Sequence, residues 1–156
     1  MKITDRLKVE HGVFLLQLDV LEKLLDDEAP LPVLKAVVET IAAAEERHAQ
    51  VEERVLWPAV ERAVGTQFPP LVESRQAHAR LGALVESIGK GDFDAALVRQ
   101  LVVRMRQHLE DEIHGAFRVI DDLLTDEQLN GLDEWDAEHV YATAGKWETW
   151  VALNDR

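Results

Sequence analysis

The sequence contains no cysteine. Disulfide bonds, thiolate metal ligands, iron–sulfur clusters and cysteine nucleophiles are therefore excluded. Basic residues are scarce as well, because 17 lysines and arginines stand against 30 aspartates and glutamates, and the formal net charge is −13. Charge of this sign repels phosphate backbones and anionic lipid, so it argues against binding to nucleic acid or to an anionic membrane surface.

Long hydrophobic runs are missing too. No stretch approaches the ~18 consecutive apolar residues that a membrane span needs, and residues 1–5 lead into no apolar segment of the kind that a secretory signal has. We therefore expect a cytoplasmic protein. Hydrophobic residues still make up 47% of the 156 positions, which is enough for one domain with a hydrophobic core.

Glycine and proline are few, and their main clusters lie at 26–32, 65–70 and 89–92. Between the clusters, apolar residues recur at steps of three and four, which is the period of a helix, and no run alternates with period two. The pattern predicts an all-α chain with four helices. These helices cover about residues 4–25, 32–63, 70–88 and 93–124. Short connections indicate an antiparallel up-down four-helix bundle.

Two local signals refine this prediction. Pro58 lies late in the second helix and predicts a kink or a break there. Asp92 or Asp94 is expected to cap the fourth helix, whose apolar stripe continues at helical period through Val119 and Leu123.

A different region follows the fourth helix. Residues 125–128 form a capping box, which predicts a fifth helix that ends near residues 139–141. We therefore divide the chain into a bundle, residues 1–124, and a C-terminal helical extension, residues 125–156, packed on it. The extension contains Trp135, Trp147 and Trp150, so we expect it to be docked and regard it as a candidate surface for a protein partner or for self-association.

Polar residues appear where the core should be apolar. Each of the four helices carries one histidine on its apolar stripe, and the second and fourth helices add a glutamate one turn later. These residues are His11, His48, Glu52, His78, His108 and Glu112. Residues at i and i+4 are neighbours on a helix, so each His-x-x-x-Glu pair can reach one common point. On an ideal rise per residue, His11 and His48 lie level, whereas His78 and His108 are out of step by ~7 Å.

Buried carboxylates are costly unless a partner neutralises them. A pair of divalent cations would neutralise Glu52 and Glu112, and the histidines would add nitrogen ligands. Nitrogen and oxygen ligands without sulfur suit iron, manganese or zinc. The six residues therefore predict a two-metal site inside the bundle, with coordination positions left open for a small ligand.

The order of these residues resembles the hemerythrin-like family, the HHE cation-binding domains, over about residues 4–124. The stretch from His48 to Pro58 is similar to the second-helix signature of that family, including the aromatic residue before proline. The resemblance implies two iron ions with an oxo or hydroxo bridge. It also implies terminal ligation by His11, His48, His78 and His108, and bridging by Glu52 and Glu112. The implied roles are oxygen binding, sensing of oxygen or redox state, and reaction with peroxide or nitric oxide.

The sequence also departs from the oxygen-carrying members of the family. Ser74 occupies the position of their second histidine in the third helix, Ile113 stands where they place an aspartate, and Ala77 precedes His78 where relatives often have glutamate. The resemblance therefore favours a sensor, a peroxide-reactive protein or a metal store over an oxygen carrier. Glu45 and Glu73 are candidates for one extra oxygen ligand.

Two other functions stay open. The first is an enzyme of the peroxidase or catalase kind, although no acid–base pair separate from the ligands is evident. The second is a metal-stabilised helical interaction module, or an iron store, without redox catalysis. Four further polar residues fall off the pattern and are expected at the solvent-exposed surface: Glu53, Glu110, His114 and His139.

Overall fold

The computed structural model describes residues 1–90 and 93–139, and these residues form five helices without a strand. Helix α1 is Ile3–Asp26, α2 covers residues 31–64, α3 is Pro69–Lys90, α4 covers residues 95–123 and α5 is Asp126–His139. The all-α bundle with an additional C-terminal helix is therefore confirmed. Among the described residues, no helix is long and apolar enough to cross a bilayer.

Helix starts follow the local chemistry of the sequence. The Asp94 side chain caps α4 by accepting a hydrogen bond from the Ala96 amide at 2.8 Å, while Asp92 lies outside the described residues. The predicted capping box at the start of α5 is present, because Thr125 and Gln128 exchange hydrogen bonds of 2.9 and 3.2 Å between side chain and backbone. Trp135 in α5 is about half exposed, and Trp147 and Trp150 fall outside the description.

Both long helices change their hydrogen bonding at the site. In α2, Leu31–Val51 is followed by a π-helical segment, Glu52–Leu56, and then by Trp57–Val64. In α4, Ala95–Asp111 is followed by a π-helical segment, Glu112–Ala116, and then by Phe117–Leu123. Each π-helical segment begins at the glutamate of a His-x-x-x-Glu pair. Pro58 follows the first π-helical segment closely, whereas the second segment forms without a proline.

The π-helical turns correct the predicted core face of α4. Uniform α-helical period places Val119 and Leu123 inside, but Val119 is 43% exposed and Leu123 is only partly buried. Ile120 and Leu124, each one residue later, are buried instead. A π turn bonds residue i to i+5 rather than i+4, so it moves the core face forward by about one residue.

The hydrophobic core consists of two clusters on either side of the histidine level. One cluster fills the end of the bundle at which α1 begins, and Leu129 of α5 belongs to it. The other fills the opposite end and includes Phe14, Leu81, Leu101 and Met105. A layer of buried polar side chains therefore lies between two apolar regions.

The helix ends also remove the predicted mismatch between the third and fourth histidines. His78 lies twelve residues before the end of α3 at Lys90, and His108 lies thirteen residues after the start of α4 at Ala95. The two helices are antiparallel and joined at this end, so the two rings come level, and their centroids are 4.8 Å apart.

Candidate metal centre

The structure brings all six predicted residues together in the layer between the two core clusters. Their ligand atoms form two groups, and within each group the atoms lie within 4.8 Å of one another. The first group is His11, His48, Glu52 and Glu112; the second is Glu52, His78, His108 and Glu112. Both glutamates therefore belong to both groups, and each group has two histidines of its own.

Distances between the ligand atoms are those of atoms that can share a cation. In the first group, His48 Nε2 lies 2.7 Å from His11 Nε2 and 3.2 Å from Glu52 Oε1. In the second group, His78 Nε2 lies 3.1 Å from Glu52 Oε2, and His108 Nε2 lies 3.5 Å from Glu112 Oε2. Two ligands with metal bonds of about 2.1 Å cannot be more than about 4.2 Å apart, and all four distances meet this limit.

The site is almost closed to solvent. Glu52 is 0% exposed and Glu112 is 2% exposed. None of their four carboxylate oxygens accepts a well-aligned hydrogen bond, although His48 and His78 lie within ion-pair distance of Glu52. The Nε2 atom of His78 also makes no well-aligned hydrogen bond. Buried polar atoms normally find partners, and two buried carboxylates side by side repel each other. The donor set therefore fits a pair of cations placed between the helices.

Without metal, two of the histidines favour the charged form. Burial lowers the pKa of His48, but the charge of Glu52 and a hydrogen bond to Glu10 outweigh it and raise this pKa to about 10. Burial likewise opposes protonation of His78, and its interactions with Glu52 raise its pKa to about 9. The metal-free site therefore holds protons on the two rings nearest to Glu52.

The pKa values of the other four candidate ligands are shifted as well, and burial is the largest single influence on each of them. Burial lowers the pKa of His11 to about 3 and that of His108 to about 4, so both rings are neutral. Burial would raise the pKa of Glu52, but the neighbouring His48 and His78 hold it below its usual range. Burial and the charge of Glu52 raise the pKa of Glu112 well above its usual range. In the metal-free site the pKa values of the two glutamates are thus shifted in opposite directions.

The other polar residues considered in the sequence differ in their exposure. Glu73 is exposed, whereas Glu45 is buried at 7% exposure, and neither belongs to a ligand group. Ser74 is buried. His114 and Glu110 are exposed, as predicted, and the side chain of His139 lies outside the description.

Two carboxylates outside the ligand groups contact the ligand histidines, and sequence reasoning missed both roles. His48 Nδ1 donates a hydrogen bond to Glu10 Oε2 at 2.7 Å, and His78 Nδ1 donates one to Glu53 Oε1 at 3.1 Å. Glu53 is partly exposed, at 32% of its side chain, but it also accepts the hydrogen bond from His78, which the sequence did not predict. Each of these rings turns its Nε2 atom towards a ligand group because a carboxylate holds the opposite nitrogen.

Two cavities approach the site from different sides of α2. One, of about 600 Å³, lies between α2 and α3, and both His78 and Glu45 line it. The other, of about 370 Å³, lies between α1 and α2, and Glu10 and His48 line it. Each ligand group therefore has one histidine at the wall of a cavity.

Comparison with known proteins agrees with this geometry. A family model described as the hemerythrin HHE cation binding domain matches residues 2–120. Neither the curated proteins nor the solved structures gave a match. The matched residues include all six residues of the two ligand groups, and α5 lies beyond them.

Proposed function

Because the chain belongs to the hemerythrin HHE cation-binding domain family, we propose that it holds two iron ions inside the bundle. The proposed ligands are His11, His48, His78 and His108, with Glu52 and Glu112 shared between the two ions. We further propose that the loaded centre binds, senses or reacts with O2, peroxide or nitric oxide. Bound iron would supply redox chemistry and coordination positions for such a small ligand.

One observation carries the proposal. Two groups of four ligand atoms share two fully buried glutamates whose carboxylate oxygens accept no well-aligned hydrogen bond. A single cation would satisfy only one group and leave the other two histidines unused. Two cations satisfy both groups at once. Glu52 faces His48 with Oε1 and His78 with Oε2. Glu112 faces both His11 and His108 with Oε2.

The ligand types favour iron. Each ion would have two imidazoles and shared carboxylates, which is close to the two-histidine, one-carboxylate set of non-heme iron sites with open positions. Manganese and zinc accept similar ligands and are the alternatives. Ser74 supplies no further imidazole, so the position near α3 is left with room for a small ligand.

Access for such a ligand is given by the cavity between α2 and α3. Its wall includes His78, which is the most exposed of the six proposed ligands at 11% of its side chain. The buried Glu45 lines the same cavity and is a carboxyl group whose pKa is raised by burial. A small neutral molecule could therefore reach the centre without opening the bundle.

Metal analysis with an optical spectrum tests the proposal. We expect about two irons per chain in freshly purified protein, and a charge-transfer band in the visible that changes when O2, peroxide or nitric oxide is added to the reduced form. Zinc at the same stoichiometry, with no spectral response, would support the metal-stabilised interaction module instead. Protein that binds no transition metal under any loading condition would refute the assignment.

Metal loading should also release protons. Because the raised pKa values of His48 and His78 keep both rings protonated in the metal-free form at neutral pH, each must lose a proton before its Nε2 can bind a cation. We expect at least two protons released per chain loaded at pH 7, measured with an indicator dye in weakly buffered solution. The overall affinity then falls about a hundredfold for each pH unit lowered.

The exposed His114 provides the control for this measurement. A His114→Ala variant should release the same number of protons as the parent chain, because His114 lies outside both ligand groups. Release of less than one proton per chain would contradict the protonation states given for His48 and His78.

A further inference from the structure

The histidine at one end of the first ligand group is held by a chain of charged side chains. His48 Nδ1 donates to Glu10 Oε2 at 2.7 Å, and Arg6 Nη1 lies 3.4 Å from the other oxygen of Glu10. Arg6 and Glu10 both belong to α1, one turn apart. The carboxylate that orients His48 is therefore itself held by an arginine.

That arginine is bound mainly by the C-terminal helix. Arg6 Nε donates to Asp133 Oδ1 at 2.7 Å, and Arg6 Nη2 donates to Asp136 Oδ2 at 2.5 Å. Asp136 is 0% exposed and Asp133 is largely covered. Burying a carboxylate is costly unless a cation compensates it, and Arg6 compensates Asp136 here. The chain of contacts thus runs from α5 through Arg6 and Glu10 to His48.

In the second ligand group a histidine is also held by a glutamate and an arginine, but this arginine binds a residue of the bundle and not of α5. His78 Nδ1 donates to Glu53 Oε1 at 3.1 Å, and Arg75 Nε donates to the other oxygen of Glu53 at 2.9 Å. Arg75 Nη1 then donates to Glu61 at 2.5 Å. Glu61 lies in α2 and within the residues that the family model matches, whereas Asp133 and Asp136 lie beyond residue 120.

We propose that α5 positions the metal ligand His48 through Arg6 and Glu10, so that the C-terminal extension tunes one of the two metal positions. The inference rests on the proposed two-metal function. The other position, at His78, is supported through Arg75 and Glu53, which both belong to the bundle. Displacement of α5 would therefore weaken the binding of the ion at His11 and His48 and leave the affinity for the other ion unchanged.

The physical reason is competition for one carboxylate. Arg6 uses two of its nitrogens on Asp133 and Asp136, and its contact with Glu10 is correspondingly long. An arginine freed from α5 can form a paired, two-bond contact with Glu10, which is the stronger geometry. Glu10 would then turn away from His48, and the ring would lose the hydrogen bond that fixes its orientation and its basicity.

The test compares Fe²⁺ binding by the full-length parent chain and by the double variant Asp133→Asn/Asp136→Asn. Both are titrated without oxygen in competition with a chelator, so that the two ions are resolved as separate steps. We expect the double variant to bind one ion about tenfold more weakly, which is the size of a typical loss of outer-sphere support, and the other ion unchanged.

Two variants control for a general loosening of α5. Asp126→Asn removes the ion pair of 2.6 Å between α5 and Lys2, which has no contact with Glu10, and should leave both affinities within twofold of the parent. If the double variant fails to fold by circular dichroism, the single variant Asp133→Asn replaces it, because Asp133 is less buried than Asp136.

A double-mutant cycle identifies the route. Glu10→Gln should weaken the same ion, and combining it with Asp133→Asn/Asp136→Asn should add little further loss, because both changes act on one chain of contacts. In Co²⁺-loaded protein, the exchangeable Nδ1 proton signal of His48 should shift in the double variant while that of His78 stays in place.

Three results would overturn the inference: both affinities unchanged in the double variant, equal losses for both ions, or an equal loss in Asp126→Asn. In each of these cases the parent chain still binds two ions, so the proposed function stands. A parent chain that binds no iron removes the proposed function itself, and the inference falls with it.

Discussion

We expect that replacing Glu52 with alanine reduces the metal content of the loaded chain from the proposed two ions to one or none. Glu52 belongs to both ligand groups and is 0% exposed, so its loss removes one ligand from each ion and leaves a buried gap between them. The measurement is metal analysis after loading with excess Fe²⁺ and removal of unbound ion. The same variant should lose the stabilisation that metal gives, which is about 2.7 kcal/mol when free metal exceeds Kd a hundredfold.

The matched control is Glu46→Ala. Glu46 lies on the same helix, six residues earlier, but it is exposed and outside both groups. This variant should hold two ions and keep the rise in melting temperature on loading. If Glu52→Ala also held two ions with the parent's affinity, Glu52 would not be a shared ligand, and the two-metal assignment would need other oxygen donors.

Glu52→Ala also changes the metal-free protein in a defined direction. The charge of Glu52 helps to raise the pKa of His48 and that of His78 above their ordinary values, while burial acts against it. Without this charge both pKa values fall, although Glu10 and Glu53 still oppose the effect of burial. An NMR titration of the ring protons in metal-free protein would show the change.

Replacing Phe117 with alanine destabilises the metal-free chain by about 3–5 kcal/mol, the usual cost of removing a buried aromatic ring. Phe117 is 0% exposed, belongs to the core cluster that includes Leu129, and packs on the ring of His11 with centroids 5.1 Å apart. Chemical or thermal unfolding measures the loss. Metal-free protein is used so that any change at the site does not contribute.

Val119→Ala is the companion variant, because α-helical period through Glu112 places Val119 in the core and Phe117 off it. In the structure Val119 is 43% exposed, so its truncation should change the free energy of unfolding by no more than about 0.5 kcal/mol. Comparable losses in the two variants would show that the helix keeps α-helical register past Glu112 and that the π-helical segment is absent.

Local spacing explains why so much of the site could be predicted. A histidine and a glutamate four residues apart share a helix face wherever the helix is placed, and His48 with Glu52 and His108 with Glu112 obey this rule. His11, predicted on the apolar stripe of the first helix, is likewise buried, together with Leu7 and Phe14 on either side of it. The assignment of the six residues as metal ligands stays a proposal that metal analysis decides.

The face of a helix beyond an irregularity could not be predicted in the same way. The π-helical segments at Glu52 and Glu112 carry no sequence signal of their own, since one precedes a proline and the other does not. In each helix the glutamate and an aromatic residue five positions later, Trp57 or Phe117, both lie in the interior. Which neighbours bury them depends on how the other helices pack.

The sequence by itself determined the helices, the bundle and the membership of the polar layer, because these follow from periodicity and from contacts three or four residues apart. Only the tertiary structure decided which groups support the ligands. Glu10 reaches a histidine 38 residues away, and Arg6 reaches an aspartate 130 residues away. Contacts of that kind depend on how helices are rotated and stacked against one another, and side-chain spacing along one helix does not contain this information.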